Sequence, residues 1–147
     1  MEPGCIFCKI VNNEIPSSKI IETDKVLVFL DVNPINKGHA LVIAKEHYET
    51  LLDVPDNLLK DLMITAKKVA RSMKKTLNAE GFNIGMNNYA AAGQTVPHAH
   101  MHVIPRFGND GLEAWPHKKY EVGEMDKFRD KISSFIKKCC KSQDSTR

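Results

Sequence analysis

Apolar residues recur along this chain in two rhythms, and the change from one to the other divides it into elements. Val26 to Leu30 and His39 to Ala44 are short, nearly continuous apolar runs, as expected of strands covered on both faces. Lys19 to Glu22 and Lys25 to Val32 flank the turn at Thr23-Asp24-Lys25 and read together as a hairpin. The rhythm then lengthens to a helical one. Leu58, Leu59, Leu62, Met63, Ala66, Val69, Ala70, Met73 and Leu77 share one side, while Lys67, Lys68, Lys74 and Lys75 fall mostly on the other. Asp53 or Asp56 is the expected cap of this long helix, Pro55 suits its first turn, and Gly81 is expected to stop it.

Strand patterns return at Phe82 to Met86 and at Thr95 to Arg106, where Pro97 marks the expected opening. Cys5 to Val11 has the spacing of a short helix, ended by Asn12-Asn13 and Pro16-Ser17-Ser18. Met125, Phe128, Ile132, Phe135, Ile136 and Cys139 predict a C-terminal amphipathic helix. Together these elements predict an α+β fold: a mostly antiparallel five-stranded sheet, a long central helix and a C-terminal helix. A single domain is expected over residues 1–140, with 141–147 as a flexible tail.

Composition narrows the class of function. A formal net charge of +3 over 147 residues is too mild to predict nucleic-acid binding, and no apolar run is long enough to span a bilayer. The first residues lack a basic stretch followed by an apolar one, so no secretory signal is expected and a cytoplasmic location follows. In a reducing compartment Cys5-x-x-Cys8 reads as metal-binding or redox. The redox form needs a preceding strand, which the pattern does not supply. Cys139 and Cys140 fall late in the C-terminal helix, where packing or exposure accounts for them.

The chemistry concentrates in His98-Ala-His-Met-His102. On a strand, alternate residues share a face, so His98, His100 and His102 form one row, while Ala99, Met101 and Val103 face the core. His39 opens another strand directly after Gly38. Single histidines on strands are ordinarily structural, but this grouping points to chemistry. Two readings compete. A neutral imidazole can attack phosphorus once its other nitrogen donates to a carbonyl. Alternatively, three histidines could hold a zinc ion that activates water. Three alternate positions spread over about 13 Å of strand, too far for one ion, so geometry favours the nucleophile.

The segment Gly93-Gln-Thr-Val-Pro-His-Ala-His-Met-His-Val-Ile-Pro105 resembles the signature of the histidine triad (HIT) superfamily of nucleotide hydrolases and transferases. The likeness extends to Cys5–Ile10, Val28–Pro34 and Gly38–Ile43, and covers about Cys5 to Trp115. It implies that His100 is a nucleophile that takes up a nucleoside monophosphate, supported by His102 and His39. It implies phosphate contacts from Asn87, Gln94 and Thr95 beside the Gly93 turn, and ribose contacts from Asp31. Phe7, Ile10, Phe29, Leu30, Val32 and Leu41 would wall a purine base.

Relatives with an N-terminal CxxC imply a structural zinc ion on Cys5, Cys8, His47 and His98. The resemblance further implies a homodimer acting on a small purine nucleotide, with neither nucleic acid nor membrane as partner. The leaving group stays open between an amine and a polyphosphate. Thr95 and Pro105-Arg106 look like the polyphosphate branch, whereas Trp115-Pro116 looks like the phosphoramidate branch. A different class, a nucleotide-binding scaffold with incidental hydrolysis, is the alternative.

Overall fold

The computed structural model describes residues 2–113 and 115–143, with the side chains of 139–143 outside that description. The expected packing of Cys139 and Cys140 and most of the expected tail therefore lie outside the described residues. The elements are α1 (Ile6–Val11), β1 (Lys19–Glu22), β2 (Val26–Leu30), β3 (Ala40–Ala44), α2 (Asp56–Thr76), β4 (Gly81–Gly85), β5 (His100–Arg106) and α3 (Glu124–Gln143). They divide into two compact units, one ending at Gly111 and one beginning at Leu112.

In the first unit the strands form one five-stranded sheet in the order β1-β2-β3-β5-β4, every pair antiparallel. The apolar runs of β2 and β3 are continuous because both of their faces are covered. Val26, Val28, Ala40, Val42 and Ala44 face one way, joined by Ala99, Met101 and Val103 from the β5 segment. On this side α2 supplies Leu58, Leu62, Ala66, Val69, Ala70 and Met73, all buried. Leu27, Phe29, Leu41 and Ile43 face the other way, against Cys5, Phe7, Cys8 and Ile10 of the α1 segment. The register sets His100 opposite Ile43 and His102 opposite Leu41, so the histidines leave the sheet on the α1 side. The expected split between core and histidine faces holds.

Several boundaries differ from the pattern-based expectation, each for a local reason. Asp53 does not cap α2. It closes a capping box with Thr50 around the 3-10 turn Leu51–Asp53, its carboxylate accepting from Thr50 N at 2.9 Å. Pro55 is the residue before α2, which begins at Asp56. Asn78, at φ 55, supplies the left-handed residue after the helix, and Gly81 is instead the first residue of β4. Regular pairing in the histidine segment begins at His100 rather than at Pro97.

Gly38 is the one position before the site where glycine is required. Its φ of +96 is left-handed, and a Cβ there would lie 2.7 Å from Leu77 Cδ1. This turn delivers His39 to the edge of β3. In the second unit, α3 carries the expected amphipathic stripe, with Met125, Phe128, Ile132, Phe135 and Ile136 each roughly half exposed or more.

Candidate active site and metal centre

His98 stands one turn before β5 and is fully buried. Its Nε2–H donates to Ala44 O at 2.9 Å, which fixes the tautomer and turns the Nδ1 lone pair the other way. That lone pair faces Cys5 Sγ at 3.4 Å and Cys8 Sγ at 3.8 Å. His47, in the connector after β3, brings its Nδ1 to 3.4 Å from Cys8 Sγ. All four donor atoms lie within 4.8 Å of one another. Tetrahedral zinc with two sulfurs and two nitrogens has sulfur–nitrogen edges of about 3.5 Å. The residues therefore fit a metal ion, and two thiols with two imidazoles are a zinc-type donor set. Burial pushes the Cys5 thiol up and the His98 imidazole down to about 4.

Two residues along, His100 is 5% exposed and its Nδ1–H donates to His98 O at 2.7 Å. Nε2 is thereby left as the lone pair. Burial, the largest effect, lowers this imidazole below its ordinary value, so the ring is neutral at neutral pH. Phe7 packs edge-on, its centroid 5.2 Å from His100 and 5.6 Å from Phe29.

His102 and His39 form a pair, with His102 Nδ1 2.9 Å from His39 Nε2. Ile35 N–H donates to His39 Nδ1 at 3.3 Å. His39 therefore carries its proton on Nε2 and donates to His102 Nδ1, so His102 carries its own on Nε2. That Nε2–H is buried without an acceptor, one of two such side-chain atoms among the described residues. An orphaned donor beside the His100 ring, 4.9 Å away centroid to centroid, is suited to an anionic oxygen. Burial holds His102 down to about 4 and lowers His39 as well, the latter partly offset by Asp31, whose Oδ2 lies 3.4 Å from His39 Nδ1.

Phe7, Ile10, Phe29 and Leu41 are gathered into one buried cluster on this face. Leu30 and Val32 are not part of it, and Val32 is 88% exposed. Asp31 is half-buried just after β2 and also accepts from Asn33 N at 2.8 Å. Asn87 and Gly93 are adjacent, with Asn87 Nδ2 3.6 Å from where a Gly93 Cβ would stand. Thr95 is exposed in the same turn, whereas the Gln94 amide is turned onto the backbone.

Pattern reading missed a buttress behind the site. The Asp110 carboxylate takes Arg106 Nε at 2.7 Å and Nη2 at 3.0 Å, Phe107 N at 3.1 Å and Asn36 Nδ2 at 3.2 Å. Asn36 also donates to Pro105 O, and its own carbonyl accepts His39 N at 2.9 Å. The far end of β5 thereby holds the loop that carries Asp31 and Ile35. The Arg106-x-x-x-Asp110 spacing was the available signal, but it falls in an irregular segment with no periodicity to read.

Residues 12–109 match the family model described as HIT domain. The chain belongs to the HIT family. It is 50% identical over 107 residues to an uncharacterized HIT-like protein of Methanocaldococcus jannaschii, covering 73% of this chain and 82% of that one. It is 39% identical over 141 residues to the adenosine 5'-monophosphoramidase HNT1 of Candida albicans, covering 92% and 93%. Among solved structures, a Streptococcus mutans protein superposes with a TM-score of 0.86 at 39% identity, covering 92% of this chain and 87% of that one. A zinc-bound histidine triad family protein of Mycobacterium smegmatis gives 0.72 at 36% identity, covering 83% and 88%. The fold is thus that of the HIT family, and the relatives named for an activity are hydrolases.

Proposed function

We propose that this HIT-family enzyme hydrolyses a purine nucleotide conjugate at its α-phosphate and releases a nucleoside monophosphate through a covalent intermediate on His100. The observation that carries this reading is the 2.7 Å bond from His100 Nδ1 to His98 O, which leaves Nε2 as a neutral, aimed nucleophile. Nε2 attacks phosphorus and forms the N–P bond as the bond to the leaving group breaks, the departing nitrogen taking from solvent the proton that the water of the second step returns. The His102 Nε2–H, unpartnered in the protein, stabilises the charge that builds on the phosphate oxygens. Asn87, Thr95 and the Gly93 turn supply further donors, and Asp31 accepts from the ribose. Water then attacks phosphorus, the N–P bond breaks, and the imidazole is restored. The Phe7, Ile10, Phe29 and Leu41 cluster accounts for an apolar grip on the base.

An amine is the favoured leaving group, supported by the phosphoramidase names of the Candida albicans and Saccharomyces cerevisiae relatives. Cys5, Cys8, His47 and His98 hold a zinc ion in this reading, supported by their donor geometry and by the zinc-bound relative. When bound, the ion would cross-link the α1 segment to the segment before β5, since Cys5, Cys8, His47 and His98 would all serve as its ligands. A homodimer and a cytoplasmic location belong to the same reading. The position of β4 at the end of the strand order, with Phe82 44% exposed, and the outward Met63 and Ile64 of α2 support the first. Among the described residues no helix is long and apolar enough to cross a membrane.

The test is a substrate panel of adenosine 5'-phosphoramidate, AMP–lysine and diadenosine polyphosphates, with wild type and His100→Ala side by side. Release of AMP fastest from the amine conjugates, abolished in the variant, is the expected result. No turnover of any conjugate by the wild type overturns the reading and leaves a nucleotide-binding module.

A further inference from the structure

Gln94 stands where the family signature expects a phosphate contact, yet its side chain has no donor left to give. Both amide hydrogens are used, on Glu49 O at 2.7 Å and on Val96 O at 3.0 Å. Oε1 accepts from Tyr89 N at 2.7 Å. Tyr89 is itself an outlier, at φ 66 and ψ 162, a region essentially reserved for glycine. Its ring is 55% exposed, so packing does not impose this backbone. The main chain does: Tyr89 O accepts from Ala92 N at 3.1 Å and from Gln94 N at 3.2 Å. Residue 94 thus grips the Tyr89 peptide from both ends, by its side chain at the N–H and by its own N–H at the carbonyl.

We propose that Gln94 is a positioning residue. Its amide holds the strained Tyr89 peptide, and that peptide in turn shapes the 87–95 turn in which Asn87, Gly93 and Thr95 present donors to the phosphate. The inference rests on the hydrolase reading above and gives this residue an indirect part in it. The bond to Glu49 also ties the turn to the segment of His47, two residues back. Strain at a non-glycine residue persists only where the surroundings over-determine it, and here the Gln94 side chain adds a bond at the Tyr89 N–H to the two main-chain bonds at its carbonyl.

A glycine at position 89 separates a brace from a phosphate ligand, because glycine adopts this backbone without help. Wild type, Gln94→Ala, Tyr89→Gly and the double variant are compared by kcat and KM for adenosine 5'-phosphoramidate and by hydrogen exchange of amides 92 and 94. Gln94→Ala should lower kcat/KM about ten-fold or more and speed exchange at both amides to a similar degree. The double variant should return both readouts to within about three-fold of wild type, and Tyr89→Gly alone should stay near wild type.

Unchanged exchange in Gln94→Ala overturns the proposal. So does an activity loss that glycine at position 89 does not repair, which is the signature of a lost phosphate contact. A wild-type protein without hydrolase activity would strike the functional reading instead, while the exchange rates alone would still decide whether Gln94 is the brace.

Discussion

His39 Nε2 lies 2.9 Å from His102 Nδ1, and this contact determines which nitrogen of each ring carries its proton. The order runs from the Ile35 amide through His39 to His102 and ends on an N–H with no partner in the protein. It works only with both rings neutral. A proton added to His102 Nδ1 would face the His39 N–H that now donates to it.

Stability should therefore depend on this pair in a defined direction. The folded His102 titrates near 4, burial being the main cause, and His39 is lowered too. Unfolded histidines titrate near 6.5, so the unfolded chain binds more protons as pH falls below that value. The pair's share of stability is complete above about pH 6.5, declines towards pH 4 and levels off below. Melting temperatures of wild type and His102→Asn measured from pH 4 to 7.5 check this. The difference between the two should shrink as pH falls, and a constant difference would count against it.

Removing the proposed nucleophile should separate chemistry from binding. His100→Ala is expected to lower kcat for adenosine 5'-phosphoramidate by about a thousand-fold or more, while AMP affinity changes by about three-fold at most. Acid quenching of the wild type with radiolabelled substrate should trap an acid-labile, alkali-stable label on residue 100. Label absent there, or activity surviving in the variant, would remove the covalent route.

The proposed metal centre predicts a stoichiometry. Elemental analysis of the purified wild type should give about one zinc per chain, and Cys5→Ser or Cys8→Ser should bring it close to zero. The same variants should melt well below wild type, because α1 loses its cross-link to the β5 segment. Zinc-free wild-type protein, or full zinc retention without either thiol, would be the opposing result.

In the core, Leu62 is fully buried between α2 and the sheet, and Leu62→Ala should cost about 2–5 kcal/mol by urea unfolding. Lys67, on the exposed side of the same helix, should change by no more than about 0.5 kcal/mol on substitution by alanine. Equal effects at the two positions would contradict the packing described.

What the sequence made legible was periodic. The alternation of Ala99, Met101 and Val103 with the histidines gave the two faces of β5, and the spacing from Leu58 to Met73 gave the buried side of α2 except at Met63, which turns outward. Helix ends were less legible because several residues compete for one role. Asp53 turned to Thr50, and Asn78 took the left-handed position ahead of Gly81. The supports of the site were hidden for another reason. The Ile35 amide, the His98 carbonyl and the backbone partners of Gln94 are main-chain groups that every residue possesses, so no pattern of side chains marks them. Asp110 reaches Asn36 across 74 positions, which only the folded chain brings together.

The oxygen that orients His100 belongs to the main chain of residue 98, whereas the nitrogen that faces the Cys5 sulfur belongs to its side chain. Mutation can erase the second without touching the first. A lineage of this protein that shed its thiols and this imidazole would part with the proposed ion and still inherit the carbonyl that aims the proposed nucleophile. With zinc and catalysis as proposed above, dependence on metal supply and capacity for turnover would be separable traits, open to drifting apart over generations.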